Sequence, residues 1–377
     1  MAASPSLPSS PIPSPPESST GASLGAQTYV GNTINFFNQN PHAPQLLKYQ
    51  LDIQRELRGS FVVSVGYLGS RGADLEVSRS YKPFPNQYLS TSPVRDQTAI
   101  NYLSANLPNP FANIPAFAGT GRAGTVISRS ALLSAYPHFS GIGYYTYDGQ
   151  SWYDALNMKL EKRFSHGYLV SATYTFSKFL AANNLLNAGD TAPAKYLSPQ
   201  DYPHHIAVSA VYELPIGRGR PLFAGIKGIP RIVIGDWNLS YVYTYQSGPP
   251  IAFGNVLLSG NPKDIPLGSD ARSAAQWFNV NVFNRVAAQQ LANNLITLSP
   301  TFAGIRAASY NSSDASLIKQ IPIHESIRLE ARIDGLNIYN QTSFGVPNTT
   351  PTSTAFGAVT TQKNVPRRFQ AALRLTF

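Results

Sequence analysis

Residues 367–377 read RRFQAALRLTF, and the fold is decided there. Phe369, Ala371, Leu373, Leu375 and Phe377 are apolar at every second position. Arg368, Gln370, Arg374 and Thr376 fill most of the gaps. A period of two marks a β-strand with one greasy face and one wet face.

The same alternation recurs up the chain. It predicts strands over 325–339, 314–321, 236–246, 205–214, 167–178, 152–164, 60–69 and 45–57. With the last strand these make nine, and 27–36 supplies a tenth candidate. In 167–178, Tyr168, Val170, Ala172, Tyr174 and Phe176 alternate with Ser171, Thr173, Thr175 and Ser177. In 236–246, Trp237, Leu239, Tyr241, Tyr243 and Tyr245 share one face.

Strands of about ten residues, tilted near 40°, rise about 26 Å, the height of a membrane's apolar layer. The connectors agree. Counted back from the C-terminus, 340–366, 247–313, 179–204 and 70–151 fall on one side. The other side has 322–324, 215–235, 165–166 and 58–59. Long loops on one side and short turns on the other is the rule for a membrane β-barrel. Only 215–235 is too long for its side. Aromatic residues gather near the strand ends, Tyr67, Phe176 and Tyr245 at the long-loop end and Phe164, Tyr168 and Trp237 at the other. Such rings favour the two membrane interfaces.

Composition supports an all-β, antiparallel reading. The 377 residues include 28 Gly, 30 Pro, 21 Tyr and 19 Phe, with only 13% charged. Absence of cysteine excludes disulfides and thiolate metal sites. No apolar run reaches the roughly 20 residues of a transmembrane helix, but barrel strands are nearly silent to hydropathy. The net charge of +10 is dispersed, with no basic block, which argues against nucleic acid as a partner. Residues 1–26 are Pro/Ser-rich and are expected to be irregular, leaving 27–377 as the strand-bearing domain. Residues 2–20 lack the basic and apolar regions of a secretory signal.

Motifs for catalysis are weak. His204 and His205 follow Asp201, but adjacent strand residues point to opposite faces. They read as a strand start near the outer rim. His166 and His324 fall in turns without partner motifs. Residues 217–220 (GRGR) lack the spacing of a phosphate loop, and no G-x-S-x-G elbow is present. The chain therefore reads as non-enzymatic, with no catalytic, cofactor or metal residues. Lys159, Glu161 and Arg163 on one strand, Arg328, Glu330, Arg332 and Asp334 on another, and Arg374 on the last belong to the wet faces. Arg or Lys on a lipid face costs about 2–4 kcal/mol at the midplane, so these eight residues are expected to face a lumen. There they would form a network of alternating sign, or touch a plug or passing solute.

A closing alternating strand ending on phenylalanine, here Phe377, resembles the usual end of bacterial outer-membrane barrels, where it is an assembly signal. Residues 51–75, 151–178, 201–221, 235–250, 331–348 and 364–377 together resemble the C-terminal barrel region of Oar-like TonB-dependent receptors, abundant in Acidobacteria. The likeness covers about 40–377 and rests on order and spacing rather than on one motif. It implies the Gram-negative outer membrane, surrounding lipid, the barrel-assembly machinery, and a plug and TonB complex as partners. It implies uptake or binding of a large solute. Family members carry a signal peptide, an Ig-like domain, a plug and about 22 strands, against nine or ten here. Nine strands at about 4.8 Å make a sheet about 43 Å wide, under half of such a barrel. A partial barrel, a closed ten-strand porin and a surface adhesin are the readings left open.

Overall fold

The computed structural model describes residues 25–217, 219–323 and 327–377. The irregular segment expected over 1–26 therefore lies almost wholly outside the described residues, as does His324. Nine long strands build one wall: β1 (Gln45–Leu57), β2 (Phe61–Ser80), β3 (Gly141–Ser165), β4 (Tyr168–Ala182), β5 (His204–Glu213), β6 (Trp237–Gln246), β7 (Tyr310–Pro322), β8 (Arg328–Leu336) and β9 (Arg368–Thr376). Each pairs antiparallel with its neighbours in sequence, so the wall is a simple meander. It does not close. β1 and β9 stand at its two edges, and every residue of both is exposed.

The tenth candidate is not a wall strand. Only Thr33–Asn35 is extended, and it pairs in parallel with Gly141–Gly143, far out along β3. β2 and β3 also run well past the predicted ends, to 20 and 25 residues. Beyond Gly72 their pairing shifts twice, between Gly72 and Leu75 and between Leu75 and Val77. Such bulges break the period-two pattern, so alternation stops reporting the strand before the ladder ends.

Turn chemistry at one end is tight. His166 and Gly167 have φ of 54° and 81°, the two left-handed positions that fit the twist of a two-residue hairpin. Near each edge an aromatic ring lies over a glycine on the neighbouring strand. Tyr49 of β1 faces Gly69 of β2, and Phe369 of β9 faces Gly335 of β8. A Cβ at Gly69 would meet the Tyr49 ring at 2.2 Å, so this strand-crossing contact exists only because the position has no side chain.

The wall itself has little interior. The apolar faces carry exposed Leu51, Ile53, Met158, Leu160, Phe369 and Leu373, with no second layer over them. The packed core lies instead in the long loops. Ile251, Phe253, Ile265, Phe278, Phe283 and Phe356 are buried together, drawn from the β6–β7 and β8–β9 connectors. Phe253 meets Phe278 edge-on at 4.9 Å, and Phe278 meets Phe356 at 5.2 Å. This apolar cluster makes a folded cap at the long-loop end.

Candidate functional site

The pairing register decides which side chains share a face. Glu161 lies opposite Ser171, Ser171 opposite Ser209, Ser209 opposite Val242, and Val242 opposite Asp314. Asp314 and Ser316 share a parity, and Ser316 lies opposite Asp334. Glu330 lies opposite Arg374, and Arg328 opposite Thr376. Seven of the eight charged residues singled out from sequence, all but Arg163, are thus placed on one face of the wall.

They fall into two groups. Lys159 and Glu161 pair at 2.6 Å on β3. On β8, Arg332 pairs with Asp334 at 2.8 Å, and Asp334 also accepts from the Ser316 hydroxyl at 2.5 Å. Glu330 accepts from Gln320 at 3.5 Å. Between β3 and β8 the same face carries Thr173, Thr175, Ser209, Ser240 and Thr244, and Thr175 bonds Asn157 at 2.8 Å. Five strand spacings, about 24 Å, separate the groups, so they are not one network. Arg163 sits past a register break at the short-turn end, its backbone N–H donating to Ser60. Lys48, Asp52 and Glu56 of β1 also lie on this face, as alternation alone implies.

The opposite face is apolar between two polar rims. On β2–β9 the rows between those rims carry no charged side chain. At the long-loop rim Arg71 pairs with Asp154 at 2.8 Å, and the Tyr67 hydroxyl donates to Asp154 at 2.5 Å. Lys195 lies 4.0 Å over the Trp152 ring, and Tyr174 bonds His204 Nδ1 at 2.9 Å. At the short-turn rim two lysines take apolar-face positions, against expectation. Lys162 is 2% exposed, 4.3 Å over Tyr168, and donates to the Arg163 carbonyl at 3.2 Å. Lys319 is 4% exposed, 5.7 Å from the Trp237 ring centroid, and donates to the Gly235 carbonyl. A lysine stem can bury along apolar surface when its ammonium finds carbonyls and ring faces at the end. Sequence shows only a polar residue at the wrong parity; the carbonyls that hold it come from a turn.

His204 and His205 diverge as expected, His205 facing Thr175 and Gln246 on the polar side. Asp201 has a different role from the one its neighbours suggested. It is 1% exposed and pairs with Arg306 at 2.5 Å. It also accepts from the Phe179 N–H at 2.5 Å. Arg306 donates further to the Gly248 carbonyl at 3.2 Å, and Trp277 donates to the Arg306 carbonyl at 2.7 Å. One buried ion pair therefore fastens the cap to β4. Beside it opens a cleft of about 500 Å³, lined by His204, Tyr245, Arg272, Trp277, Arg306 and Phe344. Among the described residues no group of three or more His, Asp or Glu is placed to hold a metal.

A wall with one wet face, one apolar face and a cap on its long loops has a counterpart among known families. The model of the outer membrane beta barrel domain matches residues 2–370. The chain belongs to this outer membrane β-barrel family. It is an outer-membrane protein, and its sheet is barrel wall. No curated protein matches it. Among solved structures the barrel chain is similar to the outer membrane transporter YddB from Escherichia coli, at 10% identity and a TM-score of 0.47, over 92% of this chain and 34% of that one. It is similar to the FrpB iron transporter from Neisseria meningitidis, at 9% identity and a TM-score of 0.39, over 91% of this chain and 32% of that one. It is similar to the ferripyoverdine receptor of the Pseudomonas aeruginosa outer membrane, at 12% identity and a TM-score of 0.38, over 89% of this chain and 27% of that one. The chain spans about a third of the length of these proteins.

Proposed function

We propose that this chain is part of the wall of a TonB-dependent receptor of the Oar-like type in a Gram-negative outer membrane. The observation that carries the proposal is the open nine-strand wall with two unlike faces and a folded cap. The apolar face meets lipid, because a charge there costs about 2–4 kcal/mol at the midplane and β2–β9 carry none between the rims. The face with Lys159, Glu161, Arg328, Glu330, Arg332, Asp334 and Arg374 then lines the lumen. Edges in lipid leave backbone groups unpaired, so further strands complete the barrel.

Direction fixes their parity. β1 and β9 are the first and ninth strands of an alternating meander, so they run the same way. Joining them through antiparallel pairs alone takes an odd number of added strands. Nine strands closing on themselves would need a parallel seam. Energy for uptake would come from a plug and TonB complex, with insertion by the barrel-assembly machinery acting on the end that holds Phe377. The role is non-enzymatic: a scaffold that presents the cap and its cleft to solutes outside the cell. Binding residues concentrate on loops held by rigid scaffolds, which suits that arrangement.

The test is electrical. Purified chain in planar bilayers is expected to give no steady single-channel conductance. Uniform long-lived channels from the chain alone would establish a closed passive pore and overturn the partial-wall reading. Cell adhesion without uptake by the completed barrel would favour a surface adhesin.

A further inference from the structure

The connector 214–236 between β5 and β6 is the one turn too long for its side of the wall. It holds a seven-residue helix, α1 (Gly228–Ile234), and its surface is unusually apolar. Phe223 is 64% exposed and Ile229 76%, and Leu222, Ile232, Val233 and Ile234 are also exposed. Six large apolar side chains on one short connector form a patch that water alone does not stabilise. Ile229, Ile232 and Val233 fall three and four apart, on one stripe of the helix.

Charge and position identify the covering surface. From Leu214 to Gly235 the sequence has four basic residues, Arg218, Arg220, Lys227 and Arg231, and no acidic one. Arg220 is held by Glu213 at 2.7 Å. The helix is tied to the lipid side of the wall rather than hung below the lumen. The indole N–H of Trp237, on the apolar face, donates to the Val233 carbonyl at 2.9 Å. Lys319, also on that face, donates to the Gly235 carbonyl. Seven helical residues span only about 10 Å, far too little to cross a bilayer. An apolar stripe with basic flanks beside an interfacial Trp is the composition of a segment lying in the plane of a membrane surface.

We propose that residues 214–236 are a membrane anchor lying on the leaflet at the short-turn side. Ile229, Ile232 and Val233 enter the boundary between headgroups and acyl chains, about 5–10 Å deep. Lys227, exposed beside the helix, meets anionic lipid phosphates. The inference rests on the apolar face of the wall meeting lipid.

The chain has no cysteine, so single labelling sites are clean. Nitroxide labels are placed on Ile229→Cys, Val233→Cys, Leu160→Cys in the apolar band and Thr354→Cys in an outer loop. The labelled chains are assembled with the strands that complete the barrel in vesicles of phosphatidylethanolamine and phosphatidylglycerol. Collisions with oxygen and with a water-soluble nickel chelate are compared. Labels at 229 and 233 are expected to show an oxygen-to-nickel ratio several-fold above that at 354 and below that at 160. Lys227→Glu lowers the ratio at 229. If 229 and 233 match 354 while 160 reads lipid, the anchor is wrong and the wall stands. Labels at 229 and 233 shielded from both reagents would place the helix against protein and also overturn it. Water at 160 would remove the wall reading and the anchor with it.

Discussion

Asp201 is the side chain on which the cap's attachment turns. Its carboxylate is out of water and held by Arg306 and the Phe179 N–H. Removing the carboxylate leaves the Phe179 N–H without its acceptor and the partly buried Arg306 without its counter-ion, at about 1–3 kcal/mol. Asp201→Ala is therefore expected to speed proteolysis within 249–306 while strand content stays unchanged by circular dichroism. Asp96 gives a milder, pH-dependent case. It caps the helix Gln97–Ser104, accepting from the Ala99 N–H at 2.9 Å and the Ser90 hydroxyl at 2.8 Å. The Ala99 N–H first, then Ser90, hold its carboxyl below the usual carboxylate range. A lowered value in the folded state means the cap's contribution is fully present above the ordinary aspartate pKa. It is lost as pH falls through the depressed one. Amide exchange over 97–104, compared with the neutral cap of Asp96→Asn, should show extra opening in acid only for the native carboxylate. At this scale the sequence says little. Asp201 stood out only as a neighbour of two histidines, and its partner is 105 residues away with no motif between them. Lys162 and Lys319 broke the alternation visibly, but the rings and carbonyls that receive them belong to other strands and turns.

Among the elements, the wall strands were the legible part. Alternation in 367–377 and its eight counterparts placed each of the nine wall strands, because each has one face in a medium that rejects charge. Leu373→Arg, near the middle of the apolar band, should lower unfolding stability in vesicles by about 2–4 kcal/mol, measured by urea titration. Arg374→Leu, one residue on and facing the other way, should cost less than that. Equal effects would mean the faces are misassigned. The outer ends of β2 and β3 were not legible, because two bulges reset the parity between Gly72 and Val77. The cap was not legible either. Phe253, Phe278, Phe283 and Phe356 are scattered over more than one hundred residues without period, and only the fold collects them. Phe253→Ala should remove about 3–5 kcal/mol from the cap. Limited proteolysis should then cut between Gly254 and Thr301 first and leave β1–β9 intact.

For the whole molecule, the decisive property is that its two edges run in the same direction. A second copy set head to tail would bring β9 of one beside β1 of the other in parallel, the wrong sense for an antiparallel wall. Mixtures of the chain with itself are thus expected to stay heterogeneous in size-exclusion chromatography, whereas an odd-stranded block whose two edge strands run opposite to β1 and β9 should give one defined species. Strand direction follows from the alternation of long and short connectors, so it was readable before any coordinates. Closure was not, since it depends on strand number and tilt rather than on any residue. The ribbon made by β2 and β3 carries a consequence for events outside the cell. At about 3.3 Å per residue and a tilt near 40°, the 25 residues of β3 climb roughly 60 Å. The apolar band uses about 25 Å of that height. β2 pairs with β3 over only 20 residues, about 50 Å of height. Roughly 25 Å of paired ribbon is therefore left standing above the bilayer, within reach of an antibody or a phage tail fibre that never touches the lipid.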